Sequence, residues 1–290
     1  MNTEKLDLKE LTSKYKEHPK AKSFLDQLEK SQKINLHGTA GSLDGLFASG
    51  TIEQNKRPYL FIFSDKEEAA YFFNDLESLL PEQLTFFFSS SFKRSIQFGQ
   101  EDPTNIILRT ELLNAINNNE RYIAVTYPEA IIERVISRKE INQNTLEIHT
   151  GENITSDFLN DVLFEYDFEQ VDFVYEPGQF SVRGSIIDIF SFSDDHPYRI
   201  DFFGDQVESI RSFDVESQLS IKNYEKAIIQ PKLQDNKNSD HNYEWQSIFQ
   251  FIHNETILWI KDKNYISERL TELFEKTLDN NPDTITDKQI

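Results

Sequence analysis

Three short runs of almost uninterrupted apolar residues limit the folds that this chain can adopt. They are YLFIF at 59–63, LTFFF at 84–88 and YIAV at 122–125. Runs of this length with few polar breaks are typical of strands that are buried on both faces. The segments between them, at 65–80 and 105–116, repeat apolar residues with the period of an α-helix. Because strands alternate with helices, the sequence predicts a parallel α/β sheet.

Local signals predict where some of these elements begin. Ser64 followed by Glu67 fits a capping box, which predicts the start of the first helix after a strand. The run TILWI at 256–260 predicts a further strand near the end of the chain. Gly184 lies inside an apolar segment, and a glycine in a strand indicates a bulge or a close backbone approach.

The pattern changes after about residue 150. TSDFLNDVLFEYDF at 155–168 is typical of one helix, and the stretch from about 173 to 213 alternates apolar and polar residues between turn signals. This stretch predicts an antiparallel meander. In the segment RIDFFGD, alternation places Ile200 and Phe202 on the core side of a strand. Arg199, Asp201 and Phe203 are then predicted to share the opposite face.

The segment HGTAGSLDG at 37–45 has the appearance of a phosphate-binding loop that opens a helix. A working loop reads GxxxxGK[ST], in which the lysine neutralises phosphate. Counted from Gly38, the last three positions hold Leu43, Asp44 and Gly45, so a carboxylate would repel the phosphate. An ordinary glycine-containing turn, a degenerate nucleotide loop and a working site are all open interpretations. The loop residues in question are Gly38, Gly41, Ser42, Leu43, Asp44 and Gly45.

Composition excludes several kinds of chemistry. The 290 residues carry a formal charge of −20, which disfavours non-specific binding to duplex DNA. The chain has no Cys, so it has neither a thiol nucleophile nor thiolate metal ligands. The six His show no metal-ligand spacing, and no catalytic serine motif is present, so we predict no metal and no catalytic residue. The first residues lack the apolar core of a signal peptide, and no apolar run could cross a bilayer, so we expect a cytoplasmic protein without membrane contact.

The most informative segment is 180–214, in which three arginines stand among seven acidic residues. Arg183, Arg199 and Arg211 are its only cations. A nucleic-acid-binding face would be more basic, whereas isolated Arg beside an exposed Phe is typical of protein-binding hot spots. Simple pairing of these arginines with neighbouring aspartates explains the pattern equally well, and both interpretations stay open at this point.

The same segment, EPGQFSVRGSIIDIF followed by HPYRIDFFGDQVESIRSFDVESQLS, resembles the signature of the bacterial transcription-repair coupling factors, the Mfd family. It is similar, more loosely, to the excision-repair protein UvrB. Neighbouring pieces match in order: the glycine turn at 38–45, SSSFKRSIQFGQED at 89–102 and YIAVTYPEAI at 122–131. The resemblance extends from about residue 30 to about 275.

The resemblance implies an N-terminal UvrB-like module of three pieces. Its fold class is α/β, with a degenerate P-loop-like parallel-sheet domain and an inserted α+β antiparallel-sheet domain. We expect domain 1A at 1–128, domain 2 at 129–214 and domain 1B at 215–290, the last truncated at its C-terminal end. The chain is therefore expected to be part of a longer protein.

The resemblance also implies a function. The module recruits UvrA, through domain 2, to a stalled RNA polymerase; RNA polymerase, double-stranded DNA, ATP and Mg²⁺ belong to later parts of the full-length protein. Carried over by position, the UvrA-binding residues are Arg183, Arg199 and Phe203. We expect this part of the protein to be monomeric, to bind no cofactor and to have no enzymatic activity.

Two alternatives remain at this stage. One is a fragment of a UvrB-like, ATP-dependent damage-verification protein, suggested by the likeness of GTAGS to a phosphate loop. The other is a direct DNA-binding module, suggested by Lys93 and Arg94.

Overall fold

The computed structural model describes residues 8–31, 33–39, 41–92, 101–233 and 243–280. The chain divides into two compact units. The first contains residues 1–88, 119–132 and 252–290, and the second contains residues 89–118 and 133–251. These bounds are not those of the three pieces implied by the resemblance, and that three-piece division stays a prediction.

The first unit is built on a four-stranded parallel sheet with strand order β14-β1-β3-β2. Its strands are β1 (Tyr59–Ile62), β2 (Thr85–Phe87), β3 (Ile123–Thr126) and β14 (Ile257–Ile260). Its helices are α1 (Leu8–Glu17), α2 (Pro19–Lys30), α3 (Leu43–Gln54), α4 (Lys66–Leu79), α6 (Pro128–Ile131) and α10 (Lys263–Asn280). The predicted parallel α/β sheet is confirmed, and β1 and β3 are buried along their whole length.

Aromatic rings form part of the core on one side of this sheet. Phe61 of β1 packs against Phe72 of α4, with ring centroids 5.0 Å apart. It also packs against Trp259 of β14, at 5.3 Å. The strand predicted at 256–260 is thus the sheet neighbour of β1, paired in parallel register from Tyr59 opposite Ile257.

The second unit contains a six-stranded sheet with strand order β11-β10-β9-β8-β7-β6. Its strands are β6 (Glu169–Gln170), β7 (Gln179–Arg183), β8 (Ile186–Ile189), β9 (Tyr198–Phe203), β10 (Gln206–Phe213) and β11 (Ser220–Tyr224). All neighbours are antiparallel except β6 and β7. The predicted antiparallel meander is therefore confirmed, with a parallel strand added at one edge.

Smaller elements complete the second unit. Two pairs of short strands, β5 with β12 and β4 with β13, each form an antiparallel ladder. These strands are β4 (Val135–Ile136), β5 (Leu146–His149), β12 (Lys226–Ile229) and β13 (Trp245–Gln246). The helices are α5 (Pro103–Asn117), α7 (Arg138–Gln143), α8 (Ser156–Glu165) and α9 (Ile248–Phe251).

One face of the six-stranded sheet is packed against α8. Leu159 and Leu163 of this helix share a buried cluster with Phe180, Ile187 and Ile200 from three strands. The other residues of the cluster include Ile189, Tyr198, Phe202, Val207 and Ile210. Along β9 the burial alternates as predicted, so every second side chain is directed to the opposite face of the sheet.

Two local predictions are wrong. Helix α4 is capped by Asp65, whose carboxylate accepts from the backbone N–H of Glu68 at 2.8 Å, and not by Ser64 with Glu67. Gly184 is not a strand bulge: it lies in the turn between β7 and β8, with a positive φ of 62° that favours glycine.

Some predictions cannot be compared with the structure. Lys93 and Arg94, which suggested the DNA-binding alternative, lie outside the described residues, as do residues 234–242 and 281–290 of the expected domain 1B. Along the parts of the chain that the structure does describe, no helix is both long and apolar enough to cross a membrane.

Candidate functional site

The face of the six-stranded sheet that is opposite α8 carries all of the predicted binding residues. Strand register places Asp188 of β8 beside Arg199 of β9, which in turn lies beside Arg211 of β10. In the next row, Ile186 lies between Arg183 and Asp201. We call this surface the arginine face and define it by Arg183, Asp188, Arg199, Asp201, Phe203 and Arg211.

Asp188 holds the two predicted arginines together. Its side chain is only 1% exposed. Arg199 donates to both carboxylate oxygens, from Nε at 2.7 Å and from Nη2 at 2.8 Å, and Arg183 donates to one of them. The hydrogen bond to Asp188 is also the main cause that raises the pKa of Arg199. Two guanidinium groups thus share one buried carboxylate.

The two arginines differ in how accessible they are. The Arg199 side chain is 13% exposed, because Gln218 covers it and accepts from it through the backbone oxygen at 3.3 Å and through Oε1 at 3.0 Å. Its guanidinium carbon also lies 4.2 Å from the ring centre of Phe213. The Arg183 side chain is 35% exposed and lies over the ring of Phe173, at 5.2 Å. Arg183 therefore offers the more open of the two cations.

Phe203 is the most exposed large apolar side chain among the described residues, at 78%. It ends β9, where Gly204 with a φ of 63° opens the turn to β10. It lies on the predicted face, with Arg199 and Asp201 at alternate positions of the same strand. Four strand residues correspond to about 13 Å, so Phe203 lies beside the arginine pair without being part of it.

A second ion pair lies next to the arginine pair. Arg211 donates to Asp201, and the hydroxyl of Ser209 donates to the same carboxylate oxygen at 2.8 Å. The sequence interpretation that these arginines pair with neighbouring aspartates is therefore correct. This pairing does not exclude a binding role, because the three arginines and two aspartates of the arginine face leave a net charge of +1.

Two residues of this site were not predicted from the sequence. Asp188 counted only as one of the seven acidic residues of 180–214, whereas the structure buries it. The available signal was its position inside the apolar run SIIDIF, where a charge requires partners. Gln218, a residue with a φ of 60°, was also not predicted, and its sequence context gives no signal for that role.

The glycine-containing loop leads into α3 and places a buried carboxylate at the position of the phosphate-binding lysine. Gly38 and Gly41 both have positive φ, and α3 begins at Leu43. Asp44, where a working loop has lysine, is buried and forms an ion pair with Lys261, which directly follows β14. A bound phosphate would have to compete with this carboxylate for the ammonium group.

One group of possible metal ligands lies elsewhere in the second unit. The side chains of Asp194, Asp195 and His196 bring three ligand atoms within 4.8 Å of one another. They already have partners, since His196 Nδ1 lies 2.7 Å from Asp195 and the Tyr198 hydroxyl donates to Asp194 at 2.8 Å. These hydrogen bonds account for the close approach of the three side chains.

Residues 146–234 match the family described as the UvrB interaction domain. The match begins at the first residue of β5 and extends beyond β12, so it includes the whole six-stranded sheet and the arginine face. This part of the chain is thus similar in sequence to UvrB interaction domains.

The relatives extend the likeness beyond that domain. The chain is 32% identical over 209 residues to the transcription-repair-coupling factor of Bacillus subtilis, and the aligned region covers 71% of this chain and 18% of that protein. It is 28% identical to the Escherichia coli transcription-repair-coupling factor over 123 residues, 42% of this chain and 11% of the relative. It is 25% identical to the UvrABC system protein B of Streptococcus suis over 251 residues, 80% of this chain and 38% of the relative.

These matches confirm the resemblance to the N-terminal UvrB-like module of the transcription-repair coupling factors. The chain spans about a fifth or less of the length of the transcription-repair-coupling factors that it matches.

Proposed function

We propose that this chain is a recruitment module of nucleotide excision repair, which acts in the cytoplasm and binds UvrA through the arginine face. In a longer protein, contacts made by other parts with RNA polymerase and DNA would bring this face to a stalled transcription complex. The observation that carries the proposal is the pairing of Arg183 and Arg199 on one buried carboxylate, on the face that exposes Phe203.

Each residue has a distinct part in the proposed contact. Arg183 offers hydrogen-bond donors to a carboxylate of UvrA, in the planar geometry that favours bidentate pairing. Phe203 enters an apolar pocket of the partner. Arg199, which is mostly covered, contributes chiefly by fixing Asp188 and the charge balance around it. If Phe203 is central and desolvated, its contact is worth about 2 kcal/mol, or roughly 30-fold in affinity.

Calorimetry with purified UvrA from the same source tests this function. We expect Phe203→Ala and Arg183→Ala each to weaken binding by about 30-fold. Phe158→Ala is the matched control, because Phe158 is a half-exposed ring on α8, the helix packed against the opposite sheet face. The proposal fails if the double variant Arg183→Ala/Phe203→Ala binds UvrA as tightly as the unmodified chain.

We also propose that this chain neither binds nor hydrolyses ATP. The burial of Asp44 and its pairing with Lys261 support this view, because they leave a carboxylate where a phosphate needs a cation. Titration with ATP and Mg²⁺ is expected to give no saturable signal. Saturable binding that the variant Asp44→Ala altered would instead favour the UvrB-like alternative.

A further inference from the structure

The loop between β6 and β7 places a second exposed aromatic side chain against the arginine face. Phe173 is half exposed, and its ring receives the guanidinium group of Arg183 at 5.2 Å. Two groups therefore hold Arg183 in place: Asp188 accepts from one of its nitrogens, and its guanidinium carbon lies over the Phe173 ring. Among the described residues, Asp188 is its only hydrogen-bond acceptor, so most of its five N–H donors are left for a partner.

The loop that carries Phe173 is fixed by its own hydrogen bonds. The backbone oxygen of Asp172 accepts from the Ser181 hydroxyl at 2.9 Å. On the other side of Phe173, the side-chain oxygen of Gln179 accepts from the backbone N–H groups of Tyr175 and of the next residue, both at 3.0 Å. Phe173 is therefore exposed on a segment that is tied to β7 at both ends. A side chain ordered before binding loses less entropy when a partner covers it.

The residue between the two exposed aromatics explains why they are directed outward. Val174 is 1% exposed and packs in a small cluster with Phe190 and Phe213. Its neighbours Phe173 and Tyr175 are 50% and 58% exposed. The loop thus uses one side chain as its anchor in the fold and presents the flanking rings to solvent.

From these observations we infer that Phe173 is a second aromatic contact of the partner-binding face and that it positions Arg183 for that contact. The inference rests on the proposed function and extends it to a residue outside the predicted set. The partner chemistry is a carboxylate of UvrA with an apolar group beside it, so that the carboxylate meets Arg183 and the apolar group meets the Phe173 ring. The arginine face has a net charge of +1 although the whole chain carries −20, and this local positive charge favours an acidic partner.

The strand register gives the extent of this surface. Arg183 lies two strands away from Asp201, and Phe203 is two residues beyond Asp201 on β9. With strands about 4.8 Å apart and residues about 3.3 Å apart, Arg183 and Phe203 are roughly 12 Å from each other. This distance, together with the 5.2 Å between the Arg183 guanidinium carbon and the Phe173 ring centre, fits within one ordinary protein interface.

Calorimetry with UvrA, using the whole 290-residue chain, tests the inference. We expect Phe173→Ala to weaken UvrA binding by about 10-fold. Because Phe173 acts partly through Arg183, we expect its removal from an Arg183→Ala chain to add less than about 3-fold. Phe158→Ala, the half-exposed ring on α8, is expected to change binding less than about 2-fold.

A second variant guards against loss of the fold. Phe173→Leu keeps the apolar bulk and removes the aromatic face. We expect it to melt at the same temperature as the unmodified chain and to bind UvrA about 3-fold more weakly. If Phe173→Ala does not fold, the affinity of Phe173→Leu for UvrA tests the inference. Unchanged binding by a folded Phe173 variant, together with weakened binding by Phe203→Ala, overturns this inference and leaves the proposed function intact. Unchanged binding by both Phe203→Ala and Arg183→Ala overturns the proposed function, and the inference with it.

Discussion

Replacement of Asp188 by Asn is the most direct test of how the arginine face is built. The change keeps the shape of the side chain and removes the charge that two guanidinium groups share. Asp188 accepts three hydrogen bonds from Arg183 and Arg199 and is 1% exposed, so no water can take its place without a structural change. Loss of one partner of a buried ion pair costs about 3–5 kcal/mol. Arg199 keeps Gln218 as an acceptor and Arg183 can turn towards solvent, so we expect the lower end, about 3 kcal/mol.

Urea denaturation followed by circular dichroism measures this loss as a change in the free energy of unfolding. For a unit of this size, about 3 kcal/mol corresponds to a melting temperature lower by roughly 6–12 °C. Asp205→Asn removes an equal charge from an exposed turn on the same sheet, and should change stability by less than about 0.5 kcal/mol. If Asp188→Asn lost less than about 1 kcal/mol while the control behaved as stated, Asp188 would not be the buried anchor of the face.

Three further predictions concern stability in urea. Burial raises the pKa of Glu111 to about 7. The stability that goes with its protonated form is present below the unfolded pKa of 4.5 and is lost as pH rises through 7. Between pH 5 and pH 8, the free energy of unfolding of Glu111→Gln should therefore rise by up to about 2 kcal/mol relative to that of the unmodified chain, and a difference independent of pH would contradict this. Gly178→Ala should cost about 2 kcal/mol or more, because φ is 86° and the new methyl would lie 3.0 Å from a phenyl ring. Gly151 has a φ of 85° and open space around it, so Gly151→Ala should lower the free energy of unfolding less than Gly178→Ala, through the unfavourable backbone conformation alone. Lys261→Met should lower the free energy of unfolding by about 3 kcal/mol, because it leaves buried Asp44 without its ion pair, and adding Asp44→Asn should recover part of that loss.

The sheet of the first unit could be predicted from local pattern, but its strand order could not. The apolar runs at 59–63, 84–88 and 122–125 each form a strand, because a strand buried on both faces needs an almost uninterrupted apolar run. Such a run does not indicate that the strand at 257–260 pairs with the one at 59–62, nearly two hundred residues away. Periodicity reports which face is buried, whereas pairing depends on contacts between distant segments.

The site shows the same limit at the level of single residues. Alternation in RIDFFGD correctly placed Arg199, Asp201 and Phe203 on one face, because side chains in a strand alternate strictly. The burial of Asp188 was missed because it depends on partners from β7 and β9, which only the register of three strands brings together. Capping of α4 was misplaced by one residue because Ser64 and Asp65 are both good N-cap residues, and the sequence does not rank them.

Ion pairs in the two units leave different local charges, and this difference bears on how a chain with a net charge of −20 would attract the acidic partner proposed above. At the glycine-containing loop, the Asp44 carboxylate pairs with the Lys261 ammonium group, so this pair carries no net charge. On the arginine face, three guanidinium groups share two carboxylates, so one positive charge is not cancelled. The chain as a whole carries −20, but at physiological ionic strength charges act over only about 8 Å in solvent. A carboxylate that reaches Arg183 is therefore governed by the local surplus and not by the net charge. If this reasoning holds, added salt should weaken UvrA binding by the unmodified chain more than binding by the Arg183→Ala variant, and equal salt dependence in calorimetry would show that the local surplus does not attract the partner.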